Sequence, residues 1–164
     1  MNTKLIFLDI DGVLNNQLYY TSGRADERDF RTNIDPVSVG FLNTLIKNTD
    51  AKVIVTSTWR LGRTVGELQK ILDDEGFTGE IIDRTKDLRR GNEGDSILRG
   101  NEILCYMKEH PEVLGCSYSD YRHYVIFDDD TDMLYWHRYN FIKTDPYCGL
   151  TPSNIYEAQK ILNA

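Results

Sequence analysis

The sequence predicts a three-layer α/β fold, a mainly parallel sheet with helices on both faces, and two observations carry the prediction. Short apolar runs recur along the chain and each closes on acidic or hydroxyl residues. Amphipathic segments at helical spacing separate those runs, and strands alternating with helices imply a parallel sheet covered on both sides. The first run, residues 4–8 (Lys-Leu-Ile-Phe-Leu), ends in Asp9-Ile10-Asp11-Gly12 and reads as a buried strand followed by a tight turn. Residues 15–34, rich in Tyr, Arg, Asp and Asn, fit neither period and read as a loop or small insert, with Leu18-Tyr19-Tyr20 as a substrate lip or a surface loop. Asp35-Pro36 then supplies a helix N-cap and first-turn proline, and Phe41, Leu42, Leu45 and Ile46 fall on one face.

The second strand is Val53 to Val55, ending at Thr56-Ser57. Thr64-x-x-Glu67 fits a capping box that opens a helix carrying Val65, Leu68, Ile71 and Leu72 and closing at Gly76. Ile81-Ile82, ending at Asp83, gives a third strand, and residues 83–96, rich in Arg, Gly and Asp, read as a second loop or insert. A helix is expected over about 97–109, with Ile103, Leu104 and Met107 inward and Pro111 beyond its end. Tyr124 to Phe127 is a fourth strand ending at Asp128-Asp129-Asp130, and Asn140 to Lys143 a fifth ending at Thr144-Asp145. The last helix opens at Thr151-Pro152 and carries Ile155, Ala158, Ile161 and Leu162.

A length of 164 residues fits one domain, 1–164, with apolar residues at 40% and charged residues at 27%, a globular balance. No apolar run approaches the roughly 18 residues of a membrane span, and Asp9 interrupts the N-terminal one, so neither a membrane anchor nor a signal peptide is expected. Cys105, Cys116 and Cys148 are odd in number and lack C-x-x-C pairing, which suits reduced thiols in a cytoplasmic protein. The net charge of −7 disfavours binding along a duplex, which needs many Lys and Arg contacts to phosphate. A nucleotide or a short nucleic-acid end stays open, because a bound cation reverses the charge locally. His110, His123 and His137 lack metal-site spacing, and Trp59 and Trp136 read as packing residues rather than substrate platforms.

Two carboxylates two residues apart at a strand end, Asp9 and Asp11, repel unless something compensates their charge. A hard divalent cation with oxygen ligands does so, and Mg2+ suits carboxylates plus a backbone carbonyl. One carboxylate can attack phosphorus while a second acts as general acid and base. The segment Leu5-Ile6-Phe7-Leu8-Asp9-Ile10-Asp11-Gly12-Val13-Leu14 resembles the first motif, hhhhDxDG, of the haloacid dehalogenase (HAD) superfamily. The resemblance implies a Rossmann-like HAD fold with a five-stranded sheet, the first strand central, and at most a rudimentary cap in 15–34. It also implies that Asp9 is phosphorylated, that Asp11 protonates the leaving oxygen and then activates water, and that Mg2+ is held by Asp9 and the carbonyl of Asp11. Val53-Ile54-Val55-Thr56-Ser57 is similar to the second motif, with Thr56 favoured over Ser57 for phosphate binding. Tyr124-Val125-Ile126-Phe127-Asp128-Asp129 is similar to the fourth, with Asp129 favoured over Asp128 as direct metal ligand and Asp130 and Asp132 beyond them or solvated.

Arg99, in Arg99-Gly100-Asn101-Glu102-Ile103, stands where the superfamily places its phosphate-balancing cation, with Arg60 and Arg63 as competitors. Thr56-Ser57-Thr58-Trp59-Arg60, Arg99-Gly100-x-Glu102-Ile103, Val125 to Asp130 and Thr144-Asp145-x-x-x-Gly149-Leu150-Thr151 together look like the compact HAD domains found alone or attached to RNA-repair enzymes. The expected activity is hydrolysis of a phosphomonoester, a nucleotide or a nucleic-acid terminal phosphate, with Tyr19, Tyr20, Arg24, Arg28, Arg31, Arg89 and Arg90 as substrate contacts. The alternatives are a non-catalytic binding module, a phosphatase of small sugar or metabolite phosphates, and a receiver-like domain. The last is disfavoured by Asp11, which promotes dephosphorylation.

Overall fold

The computed structural model describes residues 2–25, 33–89 and 97–164. Its five strands are β1 (Leu5–Leu8), β2 (Lys52–Val55), β3 (Ile81–Arg84), β4 (Tyr124–Asp128) and β5 (Phe141–Lys143), in the order β3-β2-β1-β4-β5. Every neighbouring pair is parallel, and β1 is central. The helices are α1 (Gln17–Thr21), α2 (Pro36–Thr49), α3 (Val65–Asp74), α4 (Arg99–Glu109), α5 (Pro111–Leu114) and α6 (Pro152–Leu162), with short 3₁₀ turns at Thr58–Arg60 and Tyr135–His137.

Side-chain alternation along the strands makes the three layers. Ile6 and Leu8 share one apolar cluster with Val53, Val55, Val125 and Phe127, covered by Leu42 and Leu45 of α2, Leu68 and Leu72 of α3, and Ile155 and Ala158 of α6. Leu5 and Phe7 face the other way, with Ile54, Tyr124 and Ile126 under Ile103, Tyr106 and Met107 of α4 and Leu114 of α5. All four residues of β1 are fully buried, as a strand with a helix layer on each face must be.

The helix starts follow the local chemistry. The Asp35 side chain accepts from the Val37 amide, and Thr64 and Glu67 form the reciprocal capping box. Thr151 and Asn154 form a second box at α6. Arg99 is the first residue of α4, and its amide is capped by the Asp132 carboxylate at 2.8 Å. β3 runs two residues beyond the expected Ile81-Ile82.

Past the ends of β1, β2, β3 and β5 the ladder continues one step: the Asp9 amide donates to Phe127 O (3.0 Å), Thr56 to Leu8 O (2.9 Å), Thr85 to Val55 O (3.0 Å) and Thr144 to Asp128 O (2.9 Å). The first residue after each of these four strands is therefore held by the sheet's own bonds, and all of them lie on the carboxyl edge. Open α/β sheets hold their ligands at that edge.

Candidate active site

Asp9 follows β1 and is 6% exposed. It shares a cluster with Asp128, the last residue of β4, and Asp129: one carboxylate oxygen from each lies within 4.8 Å of the others. The Arg99 guanidinium reaches in from α4, with Nη1 3.3 Å from Asp9 Oδ1 and 3.9 Å from Asp128 Oδ2. The same Nη1 donates to the Thr56 carbonyl, which ties the cation to the end of β2. Burial, the largest influence, pushes the Asp9 carboxyl above the usual carboxylate range against the opposing pull of Arg99, an Ile10 backbone hydrogen bond and the Ser57 hydroxyl. Burial and then the neighbouring Asp9 charge push Asp128 up as well. Burial lowers the affinity of Arg99 for its proton, but Asp9, Asp128 and Asp132 outweigh it and leave the guanidinium firmly charged.

This donor set fits a hard divalent cation. Three carboxylates crowd together with one balancing guanidinium, and Asp128 Oδ2 is buried without a hydrogen-bond partner. Asp128 Oδ1 is occupied by the Asp130 amide at 3.0 Å, so Oδ2 is the oxygen that stays available. Gly12 makes room for the cluster: it has a φ of +71°, and a Cβ there would sit 2.5 Å from the Asp129 carboxyl carbon. The Thr144 hydroxyl holds the Gly12 carbonyl at 2.9 Å and fixes that turn from β5.

Asp11 stands apart from the cluster and is exposed. Asn15 Nδ2 donates to its Oδ1 at 2.7 Å, and Trp59 Nε1 donates to its Oδ2 at 3.0 Å. Asn15 is placed by the Gly12 amide, which donates to its Oδ1 at 3.0 Å. Of the two hydroxyls after β2, that of Ser57 is near enough to Asp9 to lower its pKa, while Thr56 Oγ1 is buried without a partner. The two competing arginines turn elsewhere. Arg60, 2% exposed, pairs with Glu102 at 2.7 Å and donates to the carbonyls of Ser57 and Thr85. Arg63 donates to the Trp59 carbonyl at 2.9 Å and lies over its ring at 5.8 Å.

Asn15, Trp59 and Thr144 carry no expectation as site residues in the sequence, since each reaches the site by a contact with no local signature. Trp59 does pack against the core, as expected, and its ring nitrogen reaches Asp11 as well. Trp136, by contrast, is 45% exposed. In the 15–34 insert, α1 is capped by Asn16, Tyr19 is buried, and Arg24 lies over the Tyr19 ring while pairing with Asp35 at 3.3 Å. Arg89 pairs with Asp87 at 2.8 Å, and Arg28, Arg31 and Arg90 lie outside the described residues. No helix among the described residues is long and apolar enough to cross a membrane. A family model described as the HAD domain in Swiss Army Knife RNA repair proteins matches residues 5–155. No curated protein and no solved structure matches the chain.

Proposed function

Because the chain belongs to the family of HAD domains in Swiss Army Knife RNA repair proteins, we propose that it is a Mg2+-dependent phosphomonoesterase working through an aspartyl phosphate on a nucleotide or a nucleic-acid terminal phosphate. The observation that carries the reading is the buried Asp9 carboxylate at the end of the central strand, beside Asp128, Asp129 and the Arg99 guanidinium. Three unpaired thiols suit a reducing cytoplasm as its compartment.

In the proposed reaction an Asp9 oxygen attacks phosphorus in line with the departing alcohol oxygen. Asp11 gives that oxygen its proton as the P–O bond breaks, and its carboxylate then takes a proton from the water that displaces phosphate from Asp9. Arg99 offers fixed positive charge to the phosphoryl oxygens, and the Ser57 and Thr56 hydroxyls stand at the same strand end to donate to them. Asp9, Asp128, Asp129 and the Asp11 carbonyl would hold Mg2+, which when bound offsets the negative charge of the transferred group.

The substrate class is supported by the family's description as a domain of RNA repair proteins and by the shortness of the 15–34 insert. Tyr20, exposed and close enough to Asp11 for that carboxylate to raise its hydroxyl pKa after burial does, is the described aromatic best placed to meet a base. Arg24 and Arg89 keep about half their side chains exposed, 48% and 49%, but each already holds an acidic partner and so contributes less to phosphate binding.

A panel of oligonucleotides with 5′ or 3′ phosphate, nucleoside monophosphates and sugar phosphates, assayed with Mg2+, tests the reading. The expected kcat/KM is highest for nucleotides or termini, and Asp9→Asn abolishes turnover of all of them without unfolding the chain. Sugar phosphates ranking first would replace the substrate class, near wild-type turnover by Asp9→Asn would remove the covalent mechanism, and no turnover at all would leave a binding module.

A further inference from the structure

Of the pentad Thr56-Ser57-Thr58-Trp59-Arg60, the phosphatase chemistry uses only Thr56 and Ser57 directly. We infer that Trp59 is a positioning residue for Asp11, so that the segment after β2 fixes the proton-transfer group beside the nucleophile. The inference rests on the phosphatase reading of the site.

Arg60 anchors the segment. Its guanidinium is buried against Glu102 and the backbone carbonyls of Ser57 and Thr85, so the 3₁₀ turn Thr58–Arg60 is bolted to α4 and to the end of β3. The Ser57 Oγ accepts from the Trp59 amide at 3.3 Å, and its hydroxyl lies near enough to Asp9 to lower that carboxyl's pKa. Arg63 covers the indole face and grips the Trp59 carbonyl, and the ring's apolar part packs against the core. With backbone, face and inner edge all fixed, the indole N–H is left with one direction, toward Asp11 Oδ2 at 3.0 Å.

Asp11 needs such a support. It is exposed, where an unsupported aspartate would sample several rotamers, and proton transfer requires it within hydrogen-bond reach of the leaving oxygen. Asn15 on Oδ1 and Trp59 on Oδ2 clamp the carboxyl from two sides. Each oxygen keeps a second lone pair, which is where a proton is carried to the leaving alcohol and later received from water. The indole is a donor only, so it cannot compete for that proton.

The test is Trp59→Phe, which keeps an aromatic ring under Arg63 and removes the N–H. Two esters separate positioning from a general structural role, because an alkyl phosphate needs its leaving oxygen protonated and p-nitrophenyl phosphate does not. In Trp59→Phe, kcat/KM for the alkyl ester is expected to fall about 10- to 100-fold and that for p-nitrophenyl phosphate by less than about threefold. Trp59→Phe added to Asp11→Asn is expected to cost the alkyl ester nothing further, since the two act as one unit. Parallel losses on both esters, no loss on either, or additive losses in the double variant would each overturn the inference while leaving the phosphatase reading intact. A wild-type protein that turns over neither ester would overturn the reading, and the inference with it.

Discussion

At the scale of single residues, burial decides what a titratable group can do. His137 is fully buried, with Nε2 3.1 Å from the Gly100 carbonyl and Nδ1 3.1 Å from the Tyr124 hydroxyl. The carbonyl can only accept, so Nε2 carries the proton and Nδ1 accepts from Tyr124, which satisfies a neutral ring completely. Burial holds its pKa below the ordinary 6.5, with the Gly100 hydrogen bond opposing more weakly. The unfolded chain therefore binds a proton below about pH 6.5 that the folded ring resists. Its contribution to stability is complete above that pH and is lost as the pH falls from there toward the folded value. Asp9 and Asp128, raised by burial, bind protons more readily folded than unfolded and so act in the opposite sense. The clean measurement is thus a difference, the urea midpoint from pH 7.5 to 5 for wild type minus that for His137→Gln. The wild type should lose more stability on acidification, and equal slopes would assign no pH sensitivity to this ring.

At the scale of elements, the Arg60–Glu102 pair joins three of them. Arg60 donates to carbonyls after β2 and after β3, while Glu102 of α4 also accepts from the Leu88 amide at 3.2 Å. Glu102→Ala leaves a buried guanidinium without its counter-ion and should cost roughly 3–5 kcal/mol. For a chain of this size that is a fall in Tm on the order of 10 °C. Buried ion pairs are often replaceable by apolar residues of similar volume, but here the carbonyls would lose their donor as well. Arg60→Met with Glu102→Leu should therefore stay below wild type in thermal denaturation, and a double variant as stable as wild type would show that the carbonyl contacts contribute little. The elements differ in how far sequence betrays them. Strands and the helices at Asp35, Thr64 and Thr151 are legible because period and cap are local. The helix α1, five residues long, and α5, four, are too short to show a period, and Arg60 stays a competitor of Arg99 in the sequence until the contacts show Arg99 turned toward Asp9 and Arg60 toward Glu102. The acidic centre was legible for the same reason as the strands, since Asp9 and Asp128-Asp129 terminate them. The Trp59–Asp11 contact spans 48 positions and has no linear trace.

At the scale of the whole molecule, the carboxyl edge of one sheet concentrates negative charge on a chain already at −7. Cation binding should relieve that crowding: Mg2+ should raise Tm of the wild type, and less so when Asp128→Asn or Asp129→Asn removes a charged donor. Activity should be lost in chelator, return with Mg2+ or Mn2+, and be inhibited by Ca2+, whose longer and looser coordination misplaces the nucleophile. Full activity in excess chelator would exclude the metal from the reaction. The all-parallel topology has one more effect. Because β1 and β3 both run toward that edge, the connections that follow them start on the same edge of the sheet as the reactive carboxylates. Asp9, Thr56 and Asp128 are each held by backbone bonds between strands, which do not depend on what those connections contain. The nucleophile and the choice of substrate are therefore separable in inheritance: beyond Asn15 in the first connection and Leu88 in the second, either can be lengthened, shortened or exchanged between relatives, and a new specificity acquired, while Asp9, Thr56 and Asp128 stay where the sheet puts them.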